Sequence, residues 1–309
     1  MTRNRAPPHR GSLFGSVPSD TTVARTFHEI DATTREGVAA ALAYVRAEVW
    51  RRSATTGTGP VVLDIDASLV EIHSEGKEQT APTYKGGFGF HPMLCFADQT
   101  GETLAAVLRP GNAGANTVTD HVIVLDAAVA QLPAETAAGH HDGDTVDLVT
   151  RDVIVRADSA GCTEGFPAAC QARNVGFFVS DRSNPQVTAA IFDAFEVEEV
   201  WLPARSQDQR VKDSCAVAEL TCLIHDAKLP SGTRLVVRRE PLHPGAQRSL
   251  FPHLDYRYWG FYTDRDGDPT ELDVTMRAHA HVEQHIRRLK DSGLTRFPHL
   301  SASRPTPRG

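Results

Sequence analysis

No apolar run in this chain approaches the roughly 20 residues that a helix needs to cross a bilayer, so no membrane-embedded role is expected. The opening stretch Met1 to Arg10 is basic but has no apolar segment behind it, unlike a secretory signal. Cysteine is scarce. The five thiols, Cys95, Cys162, Cys170, Cys215 and Cys222, include no Cys-x-x-Cys pair, which argues against a structural zinc site. An odd count without a signal reads as reduced thiols in a cytoplasmic protein. Internal repeats are absent. The run Gly86-Gly-Phe-Gly89 lacks the Lys-Ser/Thr of a phosphate-cradling loop. Excess positive charge is missing too: 32 Lys and Arg face 39 Asp and Glu, a formal net charge of −7. A polyanionic partner would therefore have to be held by local basic patches.

The 309 residues, 40% of them hydrophobic, suffice for one large domain or two ordinary ones. Residues 1–30, rich in Pro, Arg, Ser and Thr, read as a disordered arm. Thr33-Thr-Arg-Glu36 has the pattern of a capping box, opening a helix with Val38, Leu42, Val45 and Val49 at helical spacing. Gly57 to Pro60 breaks the chain before a strand carrying Asp64 and Asp66. Strands are expected from Phe88 to Phe96 and from Thr103 to Leu108, joined by the turn Asp98-Gln-Thr-Gly101. A helix from Thr117 to Leu132, a strand ending at Asp158, a helix near Thr163 to Arg173 and a strand from Val175 to Val179 follow. His140, His141, Asp142 and Asp144 lie among glycines and read as a solvated loop rather than a metal cluster. Beyond residue 198 come β-rich runs, Val197 to Leu202, Arg234 to Arg239 and Tyr256 to Tyr262, with a helix-like Ala216 to His225 between the first two. A final helix is expected from Glu271 to Leu289. Periodicity alone supports α/β.

Three carboxylates stand out by context. Asp66 ends the apolar run Val61-Val-Leu-Asp-Ile-Asp66, and Asp158 ends Val153-Ile-Val-Arg-Ala-Asp158. Glu283 lies in a helical stretch with Val282, Ile286 and Leu289 as its apolar seam. Two strand-end carboxylates and one helical carboxylate can converge on two Mg²⁺ or Mn²⁺ ions, since all three are hard oxygen donors. Such a pair clamps the attacking and leaving oxygens of a phosphodiester. Asp64 is two residues from Asp66 and shares its strand face, so it is a supporting group. Arg234, Arg238, Arg239, Arg248, Arg287, Arg288 and Lys290 are candidate phosphate contacts. Trp259 is a candidate to stack on an unpaired base, although the core of the β-rich insertion is the more expected place for it.

Six ordered stretches resemble one family: Asp64-Ile-Asp-Ala-Ser68, Tyr84 to Leu94, Arg109-Pro-Gly-Asn-Ala113, Arg156-Ala-Asp-Ser-Ala160, Tyr258-Trp-Gly-Phe-Tyr262, and His281-Val-Glu283 with Arg287 to Lys290. Together they are similar to DDE transposases of bacterial insertion sequences, nearest to insertion sequence family 1380, related to the family 4 group, over residues 15 to 297. The resemblance implies a ribonuclease-H-like catalytic core with an inserted β-rich subdomain. It divides the chain into an arm (1–30), a helical remnant of an N-terminal region (31–56), the core (57–197), the β-rich insertion (198–265), the Glu helix completing the core (266–297) and a disordered tail (298–309). It favours Asp66 over Asp64 as the first metal ligand. It pairs Glu283 with Lys290 in a Tyr–Arg–Glu–Lys signature whose Tyr and Arg positions fall on Met276 and His279. It further implies double-stranded DNA partners, namely terminal inverted repeats and target DNA, and a homodimer when active. Relatives carry a longer N-terminal helical region and more apolar helix after the Glu, so this chain has the look of a truncated form.

Two other functions compete. A truncated remnant would bind DNA or a full-length relative without cutting. A phosphatase of the haloacid-dehalogenase type would use Asp64 as nucleophile and Asp66 as acid/base, but leaves Asp158 and Glu283 without a role.

Overall fold

The computed structural model describes residues 18–53, 57–72, 80–114, 117–182, 184–224, 229–243, 245–246 and 251–295. The tail assigned to 298–309, and Arg248, lie outside the described residues.

Two helices come first, α1 (Asp20–Glu29) and α2 (Ala32–Arg52). The first occupies sequence read above as disordered arm. The second is capped by Asp31, whose carboxylate accepts from the Thr34 backbone N–H at 2.8 Å, rather than by the box at Thr33. Its expected inner stripe is turned outward: Val38, Leu42, Val45 and Val49 are each about half exposed. The seam one residue further on faces the core instead. Arg46 donates to the Gln131 carbonyl and side chain, and the Trp50 indole N–H donates to Glu102 at 2.8 Å.

The sheet begins with β1 (Val61–Ala67). A small three-stranded sheet follows, formed by β2 (Val70–Ile72), β3 (Ala81–Pro82) and β4 (Phe88–Phe90) in the order β2-β4-β3. The expected strand Phe88 to Phe96 is thus divided at His91-Pro92, where proline removes a ladder donor, and its second half, β5 (Met93–Ala97), joins the main sheet. Gly89 approaches the Val70 backbone so closely that a Cβ would collide with it, so the glycine run serves strand packing. The hairpin to β6 (Glu102–Val107) turns on Gly101 at φ +67°, with the His285 ring pressed against it.

Next come α3 (Val118–Val129), the short α4 (Ala134–Ala137), β7 (Val153–Ala157), α5 (Phe166–Gln171), β8 (Val175–Ser180) and α6 (Pro185–Phe195). Beyond them lie β9 (Leu202–Arg205), β10 (Val211–Glu219), β11 (Arg234–Pro241) and β12 (Tyr256–Thr263). The nine strands of the main sheet run in the order β6-β5-β1-β7-β8-β12-β11-β10-β9. Strands β1, β7 and β8 are parallel, and β5 is antiparallel to both β1 and β6. The segment expected as an insertion continues the same sheet through antiparallel pairing of β12 with β8. Ala216 to Glu219, read as helix from its alanine and leucine spacing, lies in β10. Cys215 and Val217 pack against one face of the sheet and Ala218 against the other, the period-2 burial of a strand held on both sides.

The chain closes with α7 (Pro269–Arg277), a 3₁₀ turn (Ala278–Ala280), α8 (His281–Leu289) and a last turn (Lys290–Leu294). One helix was expected here; two are found, and the break falls at His279. Strand parity then sets what meets what. Leu63, Ile65, Val153, Val155 and Ala157 join the core containing α3, α5 and α6. Ile154 packs under α7, while Leu94 and Phe96 pack under Val282 and Ile286 of α8. Asp64, Asp66, Arg156 and Asp158 alternate with the first set and so face α7 and α8. Among the described residues no helix is long and apolar enough to cross a membrane.

Candidate active site

Asp66 lies at the end of β1, half-buried, its carboxylate accepting from the Ala67 N–H at 2.7 Å. Burial, then the charge of Asp158, then that of Glu283 push its pKa up to about 6, against the lowering influence of His279 and Ala67. Asp66, on β1, therefore feels the charges of Asp158 at the end of β7 and Glu283 in the first turn of α8. Among the described residues no three His, Cys, Asp or Glu side chains are drawn together tightly enough to hold an ion as they stand.

Asp158 is exposed just past β7, with one oxygen accepting from the Ala160 N–H at 2.9 Å. It does not cap the next helix: Thr163 Oγ1 accepts from the Phe166 N–H instead. Glu283 is exposed on α8 and lines a cleft of about 450 Å³ with His279, Ala280, Arg277, Asp273 and Trp259.

Asp64 has a different task. It is fully buried, and both oxygens are taken: Arg156 Nε and Nη2 donate to them at 2.7 Å each, and His279 Nδ1 donates to Oδ1 at 2.7 Å. Burial alone would raise its pKa, but the hydrogen bonds from His279 and Arg156 and their charges hold it below the usual carboxylate range. Arg156 also reaches Asp98 at 2.9 Å and the Thr275 carbonyl at 2.7 Å. A sealed carboxylate with both oxygens engaged cannot attack a phosphorus, which removes the structural basis for the phosphatase alternative.

Several expected DNA contacts are occupied internally. Arg238 is buried, ion-paired to Asp273 at 2.6 Å and to Glu240 at 2.7 Å. Glu240 also collects Lys212 and Arg277; against the effect of its burial, Lys212 and Arg238 bring its pKa down to about 2. Arg239 is buried too, its guanidinium 4.4 Å from the Trp201 ring centroid and 2.7 Å from Glu198. Arg234 is clamped by Glu219 and by the Arg265 and Gly267 carbonyls. Arg234 and Arg238 share one face of β11 and Arg239 the other, inside a sheet whose two faces are both covered. In contrast, Arg287 and Arg288 are exposed on α8, and Lys290 is half-buried two turns past Glu283. Trp259 is 48% exposed and forms a wall of the cleft, so it is not core. His140, expected in a solvated loop, is fully buried between the Arg151 and Arg173 carbonyls.

His279 is the site residue not singled out from sequence. It had entered only as the mismatch at the Arg position of the family signature. Its signal is its place, one helical turn before Glu283.

A mixed sheet with a parallel centre, two strand-end aspartates and a helical glutamate across them defines an α/β protein with an acidic site on one face. Residues 5–304 match the family described as transposase DDE domain group 1, and the chain belongs to that family. No curated protein matches the sequence. Among solved structures it is similar to the piggyBac transposase in its synaptic complex with hairpin DNA, at 12% identity and a TM-score of 0.38. The likeness covers 87% of this chain and 48% of the other, so this chain spans about half the length of that transposase.

Proposed function

We propose that this chain is the catalytic domain of a DDE transposase of the bacterial insertion-sequence kind, of family 1380, that cuts and joins DNA at element ends. The observation that carries the reading is that Asp66, whose pKa is pushed up to about 6 first by burial, also feels the charges of Asp158 and Glu283. Membership of the transposase DDE family supports it. The order β6-β5-β1-β7-β8, with β5 antiparallel to its neighbours and the last three strands parallel, supports a ribonuclease-H-like core.

Asp66, Asp158 and Glu283 are the residues that would hold two Mg²⁺ or Mn²⁺ ions, and the chemistry of their donors suits such ions. Its donors are hard oxygens, and its excess negative charge calls for cations. Bound there, the ions supply activation of a water or 3′-hydroxyl and stabilisation of the leaving 3′-oxygen. The chain's own residues do the rest. Arg156 and His279 hold Asp64 and so fix the floor of the site. Arg287 and Lys290 offer phosphate contacts along α8, and Trp259 offers a face for an unpaired base. The partners are terminal inverted repeats and target DNA, the working form is a homodimer, and the setting is the bacterial cytoplasm.

The test is Mn²⁺- or Mg²⁺-dependent cleavage of a duplex carrying the element end. Cleavage is expected from the wild type and its loss to background from Asp158→Ala, with duplex affinity unchanged. Binding without cleavage by the wild type would replace this function with that of a DNA-binding remnant.

A further inference from the structure

Each of the three acidic residues has a companion one structural repeat behind it. Asp64 precedes Asp66 by two residues on β1, Arg156 precedes Asp158 by two on β7, and His279 precedes Glu283 by four, one helical turn. A step of two along a strand or of four along a helix keeps a side chain on the same face. The companions are joined to one another. Arg156 grips Asp64 through two hydrogen bonds of 2.7 Å, and His279 Nδ1 completes the group at 2.7 Å. The third donor of Arg156 ends on the Thr275 carbonyl at 2.7 Å, near the C-terminal end of α7. A 3₁₀ turn, Ala278–Ala280, joins α7 to α8 at His279, with the backbone in the right-handed helical region on both sides.

We infer that Asp64, Arg156 and His279 form a positioning network that sets α8, and with it Glu283, against Asp66 and Asp158. His279 is the replaceable link, because it ties the helical turn before Glu283 directly to Asp64 of β1, whereas exposed His281 reaches the same network only through Asp98, at 3.5 Å. It acts through Asp64 and is a positioning residue. Both Asp64 oxygens accept from Arg156 as a bidentate acceptor pair, so His279 Nδ1 at 2.7 Å carries the hydrogen and donates it. That donor can be supplied by an asparagine, whose Nδ2 lies where the imidazole Nδ1 does.

The inference rests on the proposed function only for its metal readout, so two measurements are made on the full chain. The first is amide hydrogen exchange without metal or DNA. His279→Ala is expected to lose protection in residues 281–289 while β9 to β12 keep theirs, and His279→Asn is expected to restore it. The second is Mn²⁺ affinity by electron paramagnetic resonance. His279→Ala is expected to weaken it by about 10- to 100-fold, the usual cost of losing a residue that orients a ligand, and His279→Asn to recover most of that. Wild-type exchange in 281–289 of His279→Ala overturns the inference. So does an asparagine variant as defective as the alanine in both readouts, because the imidazole would then be acting by a contact other than the Nδ1 donor. A wild type that binds no Mn²⁺ would sink the metal site, and the exchange result would still decide the positioning role.

Discussion

Asp64 and Asp66 share one face of one strand and live in opposite electrostatic worlds. Three donors on Asp64 keep it ionised inside the protein, whereas burial and two neighbouring carboxylates make ionisation of Asp66 costly. The sign of the consequence follows from proton counts. A carboxyl whose folded pKa is raised from 3.8 to about 6 holds its proton in the native state at pH values where the unfolded chain has released it. Its contribution to stability is therefore largest at low pH and is lost as pH rises between about 4 and 6. For the metal-free protein this amounts to on the order of 2 kcal/mol, allowing for partial exposure and for coupling to Asp158. Asp66→Asn is expected to gain stability over the wild type at pH 7 and to lose that advantage near pH 4, measured by thermal unfolding in chelator. Parallel profiles for the two proteins would mean that the three carboxylates do not crowd one another.

Whole elements were legible where local chemistry and tertiary packing agree. The turn at Asp98 to Gly101, the β7 and β8 runs and the apolar seam of α8 are examples; each satisfies its own periodicity and the burial the fold imposes. Elements misread from sequence are those whose packing overrides local pattern. The alanine-rich Ala216 to Glu219 becomes strand because two neighbours supply ladder partners on either side. In α2 two adjacent seams compete, and the one with hydrogen-bonding partners, Arg46 and Trp50, faces inward while the aliphatic stripe does not. The basic residues of β11 were misassigned for a related reason: a strand pattern does not tell that Glu219 will clamp Arg234, Asp273 and Glu240 Arg238, and Glu198 Arg239. That enclosure is testable. Asp273→Ala leaves Arg238 buried without its strongest partner and is expected to cost about 3–5 kcal/mol of stability. Exchanging Arg238 for Met is expected to lower stability far less when combined with Asp273→Leu than either single change does. Urea unfolding of the four proteins measures this, and an additive result would show that the pair is not coupled.

At the scale of the whole molecule, a chain of net charge −7 must meet a polyanion through a restricted surface. The acidic residues of the site would themselves repel phosphate until cations neutralise them. The cations of β11 are already neutralised internally, so they add little field outside. What remains exposed next to the site is the outer side of α8, where Arg287 and Arg288 follow Glu283 by one turn or slightly more. Each phosphate contact made there releases condensed counterions, and the dependence of log K on log salt records how many are made. Arg287→Ala is expected to reduce the magnitude of that slope by about 0.9 on duplex DNA, with no change in thermal stability because the side chain is exposed. Arg239→Ala should do the reverse: it should destabilise the protein through loss of the Trp201 and Glu198 contacts and leave the slope unchanged. An unchanged slope for Arg287→Ala would move the DNA path off α8, and with it the orientation in which a scissile phosphate could reach the carboxylates.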